Sequence, residues 1–140
     1  MGYLSLMIYP NKHLRKAIID TVSFDVFDGI PPRADVPTSS YGVIQSMDCA
    51  IVEGRCPMWD VSVTIGIYRI FNEFGGSLDN DNATQTLLDD IGVFGGSGSY
   101  LSVANFAVQD IKFVSSFSDV EKDESTVIFS NTLRLQFTLK

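Results

Sequence analysis

The chain predicts an α+β fold, a mostly antiparallel β-sheet with two helices packed on one face, and three observations carry that expectation. An amphipathic helical stripe stands near the start, alternating strand patterns fill the middle and the end, and a second short helical stripe lies between them. At 140 residues and 45% hydrophobic content, the chain has enough apolar surface for one core and too little for two. A single domain over residues 1–140 is therefore expected.

Asn11 follows Pro10 and is placed to cap a helix whose apolar positions Leu14, Ala17, Ile18, Thr21 and Val22 fall on one stripe. His13, Arg15 and Asp20 lie off it, and His13 reads as solvent-facing. Residues 24–27 read as a short extended segment. Asp28-Gly29 reads as a turn in which glycine admits positive φ, and Pro31-Pro32 forbid helix after it. Tyr41–Val52 and Met58–Phe71 read as strands joined at Glu53-Gly54-Arg55-Cys56-Pro57, with Val61, Val63, Ile65 and Ile67 on one face and Ser62, Thr64 and Tyr68 on the other.

Gly75-Gly76 ends that run. Asp79-Asn80-Asp81-Asn82 offers caps for a short helix carrying Ala83, Leu87, Leu88 and Ile91, which Gly92 closes. Gly95-Gly96-Ser97-Gly98-Ser99 reads as a flexible loop within a glycine-rich segment, 92–102. Residues 107–117 read as a strand and the polar 118–125 as a long hairpin tip. The clearest strand signal comes last: Val127, Phe129, Leu133, Leu135, Phe137 and Leu139 share one face and Thr126, Ser130, Thr132, Arg134, Gln136 and Thr138 the other, disturbed only by Ile128 and Asn131.

Composition narrows the function classes. A formal net charge of -7 argues against a basic groove that binds nucleic acid by neutralising phosphates. No apolar run reaches the ~18 residues of a membrane span, and residues 1–10 lack the basic start and cleavage site of a signal peptide. Two cysteines, Cys49 and Cys56, do not make a disulfide framework and are expected as free thiols. If the turn is centred between Val52 and Glu53 they face one another, and if on Glu53-Gly54 they do not. A zinc site would need two further ligands, and the single histidine, His13, is remote in sequence.

Three constellations invite a chemical reading. The Asp79-Asn80-Asp81-Asn82 run with Asp90 faintly follows an EF-hand loop, but Ala83, Thr84 and Asp90 stand where that loop needs a ligand, a glycine and a glutamate. Helix capping explains it better. The Gly95-Gly96-Ser97-Gly98 run has no following lysine and opens no helix at P-loop spacing, so it does not cradle phosphate. Asp89-Asp90, or Asp25 with Asp28, could share a proton in a cleft, yet adjacent acids on a helix point to different faces, and no nucleophile motif accompanies them. No enzyme, cofactor or metal site is expected.

The layout as a whole resembles the tail-completion, or tail-terminator, proteins of tailed bacteriophages. The resemblance runs through the helix at 11–22, the Val26-Phe27-Asp28-Gly29-Ile30-Pro31 segment, the strand at Tyr41-Gly42-Val43-Ile44, the strand at 60–70, the helix at 82–91 and the final strand pair. In that family a Val-Tyr-Asp-Gly-Val-Pro-like turn precedes a Pro-Tyr-Val-like strand. Here Phe27 takes the place of the tyrosine, and Ser40-Tyr41-Gly42-Val43 that of the strand. Residues 1–10, an N-terminal extension, and the glycine-rich insert depart from the family pattern.

The resemblance implies a virion protein that forms a homo-oligomeric ring of six or twelve copies in the head-to-tail connector or at the top of the tail. Its implied partners are neighbouring connector, portal or tail-tube proteins, with genomic DNA passing through the channel without specific binding, and no membrane. Long alternating strands with exposed edges invite pairing with a neighbour, and an acidic lumen would repel phosphate. Arg33 and Asp35 in the 33–40 loop, and Asp119, Glu121, Lys122, Asp123 and Glu124 in the 118–125 tip, are the candidate inter-ring or inter-subunit contacts. The alternative is a small α+β ligand-binding domain or minor enzyme with a pocket between sheet and helix, lined by Tyr41, Trp59, Tyr68 and Phe71.

Overall fold

A computed structural model of the chain describes residues 8–31, 37, 39–52, 58–71, 78–93, 101–122 and 126–140. The elements in chain order are α1 (Asn11–Thr21), β1 (Val26–Phe27), β2 (Tyr41–Val52), β3 (Met58–Phe71), α2 (Leu78–Ile91), β4 (Val108–Lys122) and β5 (Val127–Leu139). The strands form a five-stranded sheet in the order β1-β2-β3-β5-β4. Every pairing is antiparallel except that of β1, which lies parallel to β2 through Val26↔Gly42 and Phe27↔Val43.

Strand alternation decides which side is covered. Val61, Val63, Ile65 and Ile67 of β3 stand opposite Phe137, Leu135, Leu133 and Asn131 of β5, and directly opposed residues share a face. All but Asn131 are fully buried together with Leu14 and Ile18 of α1 and Leu87 and Ile91 of α2. Both helices therefore cover this one face, which we call the helix face. Each of these side chains contributes about 1.5–3 kcal/mol by leaving water.

Several expectations change in detail. Asn11 is not the cap of α1 but its first residue. Pro10 precedes it without a side-chain cap bond, while Asn11 Nδ2 donates to the Tyr9 hydroxyl at 2.8 Å. His13 is half-buried rather than solvent-facing, its ring 6.1 Å from that of Phe106. Gly29 bends the chain without positive φ. Gly92 does use it, at φ 81°.

At that position Gly92 N donates to Leu88 O and Asp89 O at 3.1 and 3.2 Å, and Val93 N to Leu88 O at 3.0 Å. These are the bonds of a Schellman motif, and they end α2 where expected. Leu101, at the end of the glycine-rich segment, is buried in the core with Val103. The Gly95–Ser99 run itself lies outside the described residues.

The start of α2 and the length of β4 also differ from expectation. Asp79, Asn80, Asp81 and Asn82 lie inside the helix rather than ahead of it, so they are neither caps nor a calcium loop. β4 continues through Lys122, so 118–122 is strand, laddered to β5 by Ser118↔Asn131, Asp119↔Ser130, Val120↔Phe129, Glu121↔Ile128 and Lys122↔Val127. Only 123–126 separates the two strands. Cys49 is a free thiol opposite Val61, and Cys56 lies outside the described residues.

Candidate assembly surface

The face of the sheet turned away from the helices collects the polar half of each strand. β3 and β5 bring Ser62 opposite Gln136, Thr64 opposite Arg134 and Gly66 opposite Thr132. Register extends this face to Ser46 and Asp48 on β2 and to Lys112, Phe117, Asp119 and Glu121 on β4. It carries Asp48, Asp60, Asp110, Asp119 and Glu121 against Lys112 and Arg134, an acidic surplus on a broad strand surface. Asp60 Oδ1 accepts from Thr138 Oγ1 at 3.1 Å, and Asp110 lies 3.9 Å from the Lys112 ammonium.

One end of this face is aromatic. Tyr41 and Tyr68 stack at 5.8 Å, Phe27 meets Tyr41 edge-on at 6.0 Å, and Gln45 Nε2 donates to the Tyr68 hydroxyl. A Cβ on Gly66 would collide with the Tyr68 ring at 2.7 Å, so glycine there lets the ring lie close over the sheet. Tyr41, Gln45 and Tyr68, together with Ile30, Pro31, Ile70 and Ile128, line an open hollow of about 500 Å³, with Glu121 at its wall. Burial, and after it the neighbouring Tyr68, holds the Tyr41 phenol above the usual tyrosine range.

The sheet has two open edges among the described residues. β1 covers β2 only at Gly42 and Val43, leaving the stretch from Gln45 to Val52 without a strand beside it. At the other side β4 pairs with β5 alone, and its 15 residues present an edge about 50 Å long. Val114, Phe117 and Val120 on that strand are 50%, 63% and 52% exposed. Exposed apolar side chains along an unpaired ladder are the features that favour strand addition.

The residues singled out from sequence divide between described and undescribed segments. Asp119 and Glu121 share the acidic face near the far end of β4, and Lys122 points to the helix face. Asp119 Oδ1 accepts from the backbone N–H of Val120 at 2.8 Å. Arg33, Asp35, Asp123 and Glu124 lie outside the described residues. The four aromatics expected around a pocket between sheet and helix are not brought together. Tyr41 and Tyr68 stand on the acidic face, while Trp59 and Phe71 are on the helix face at opposite ends of β3, against Tyr9 at 6.4 Å and Phe129 at 5.8 Å.

Sequence reasoning missed a polar cluster that fastens α2 to the sheet. Asn80, 1% exposed, donates to Phe129 O at 2.8 Å and Ile67 O at 3.4 Å and accepts from Ser40 Oγ at 2.8 Å. Asn131 Nδ2 donates to Asp81 Oδ1 and Thr84 Oγ1, each at 3.1 Å, and its Oδ1 accepts from Ser118 Oγ at 2.7 Å. The break that Asn131 makes in the β5 alternation was the available signal. The cluster is structural, since its atoms satisfy one another.

Among the described residues no group of three or more His, Cys, Asp or Glu side chains is placed to hold a metal ion, and no helix is long and apolar enough to cross a membrane. No protein-family model and no curated protein matches the chain. Among solved structures, the fold is similar to that of a chain in the virion of a native gene transfer agent particle, with a TM-score of 0.58 over 91% of this chain and 92% of that one. The two are 11% identical, so what they share is the fold, an α+β domain matched along nearly its whole length.

Proposed function

We propose that the chain is a structural subunit of a phage-like virion, forming a homo-oligomeric ring of six or twelve copies in the head-to-tail connector or at the top of the tail. The observation that carries this reading is the near end-to-end likeness to a chain of a gene transfer agent virion. Two properties of the surface support it. Sheet edges left open among the described residues on both sides suit subunits that pass a contact from neighbour to neighbour around a closed ring. The acidic surplus on the uncovered face suits a bore through which DNA moves, because carboxylates repel phosphate and disfavour sticking. The role is architectural rather than catalytic, and its partners are further copies and the connector, portal or tail-tube proteins above and below.

Sedimentation velocity and negative-stain electron microscopy of the purified chain test the reading. Closed rings of six or twelve copies with a central opening are expected. A stable monomer at all concentrations would overturn it. Rings whose bore is lined by the helices, rather than by Asp48, Asp60 and Asp119, would overturn the assignment of the acidic face.

A further inference from the structure

We infer that the chain joins a second copy of itself edge to edge, β4 of one subunit adding to the open part of β2 of the next with Lys112 opposite Asp48. The inference rests on the reading that copies assemble, and it names how they do so.

Strand direction permits such a pairing. The order β1-β2-β3-β5-β4, with antiparallel pairing at each step from β2 onward, makes β4 run opposite to β2. A copy set beside the first in the same orientation therefore meets it as an antiparallel pair, and the helices of both stay on one side. Such an addition continues the existing sheet and needs no refolding.

Register then supplies the match. Asp48 is level with Ser62, Ser62 with Gln136, and Gln136 with Lys112. Met47 is likewise level with Phe113 through Val63 and Leu135, and Cys49 with Ile111 through Val61 and Phe137. Laid side by side without a shift, the two edges oppose acid to base on the acidic face and apolar to apolar on the helix face. A slip by one residue would reverse the faces. A slip by two residues in one direction would set Lys112 opposite Ala50, and in the other opposite Ser46. β1 also obstructs sliding, since it occupies the edge of β2 at Gly42 and Val43.

Lys112 is free to serve in this way. Its side chain is 67% exposed, and its approach to Asp110, itself 52% exposed, is a long 3.9 Å. In the assembled pair it lies between two carboxylates, Asp110 of its own strand and Asp48 of the neighbour. The contact is heterologous, β4 to β2, so it leaves a new β4 edge at one end and a new β2 edge at the other until a ring closes.

Disulfide trapping tests the pairing, because within one subunit β2 and β4 are three strand spacings apart, about 14 Å, beyond the Cα separation a disulfide spans. In a chain carrying Cys49→Ala and Cys56→Ser, the added pair Asp48→Cys and Lys112→Cys should give, on mild oxidation, a ladder of covalent multimers. Either substitution alone should give none. As a non-covalent second measurement, Lys112→Glu or Asp48→Lys alone should weaken assembly about tenfold, and the double exchange should restore it. Rings that form without a covalent ladder and ignore both charge reversals would overturn the pairing while leaving the ring reading intact. Covalent dimers from Lys112→Cys alone would show β4 pairing with β4 and overturn it as well. A chain that stays monomeric at every concentration overturns both.

Discussion

Asn80→Ala is the substitution whose effect follows most directly from the geometry. It removes two well-formed hydrogen bonds, to Phe129 O and from Ser40 Oγ at 2.8 Å each, and a longer one to Ile67 O at 3.4 Å, from a side chain 1% exposed. At about 1 kcal/mol for each good bond, with a further ~1 kcal/mol for carbonyls left in a protein environment without their donor, the loss should be about 2–3 kcal/mol. With a urea dependence of about 1–3 kcal/mol per molar for a domain of this size, the unfolding midpoint should fall by roughly 1–2 M. Equilibrium urea unfolding followed by tryptophan fluorescence and far-UV circular dichroism reads this directly. Gln85→Ala, which removes an exposed bond to Asp89 on the same helix, is the control and should move stability by less than about 0.5 kcal/mol. Asn80→Asp sharpens the test, since it sets a carboxylate against two carbonyl oxygens and should be worse than alanine near neutral pH, recovering on acidification. An Asn80→Ala variant as stable as the Gln85 control would refute the view that this side chain fastens α2 to the sheet.

Two further outcomes concern stability. Gly92→Ala places a Cβ on a residue at φ 81° and should cost about 1–2 kcal/mol in the same assay; no loss would mean that the helix end relaxes. Tyr41, whose phenol is held above the usual tyrosine range by burial and then by Tyr68, keeps its proton in the folded chain at a pH where the unfolded chain releases it. Its contribution to stability should be fully present below about pH 10, the value in the unfolded chain, and be lost as the pH rises beyond it. Tyr41→Phe should shrink that loss when urea midpoints at pH 9 and 11 are compared, and an unchanged loss would refute the assignment.

The parts of the fold legible in the sequence are those buried on one side only. β5 alternates almost without fault because its apolar half meets the core and its polar half meets water, and α1 shows its stripe for the same reason. β4 shows why such reading fails at an edge. Beyond Ile111 the strand is exposed on both faces, so no alternation marks it, and its polar second half looks like a loop although it is laddered residue by residue to β5. Asn80 misled in the opposite direction: an asparagine beside aspartates has the composition of a helix cap, and only the tertiary approach of Phe129 and Ile67 turns it inward. Of the candidate contact residues, Asp119 and Glu121 were placed on a shared surface by strand periodicity that sequence alone did not reveal. The aromatic quartet failed as a pocket because odd and even positions of β3 look to opposite sides.

The length of β4 carries a consequence for the chain before it meets any neighbour. A strand of 15 residues with Val114, Phe117 and Val120 open to water is also a template for indiscriminate clumping in the crowded period after synthesis. The extra residues at Gln109 and Val114, which interrupt its ladder with β5, and the interspersed Lys112, Asp119 and Glu121 are the features that blunt such edges. The same strand is thus under two opposed demands, to remain unattractive to strangers and to accept one correct match. Neutralising its charges should lower the soluble yield of the free subunit before it alters anything in a finished particle.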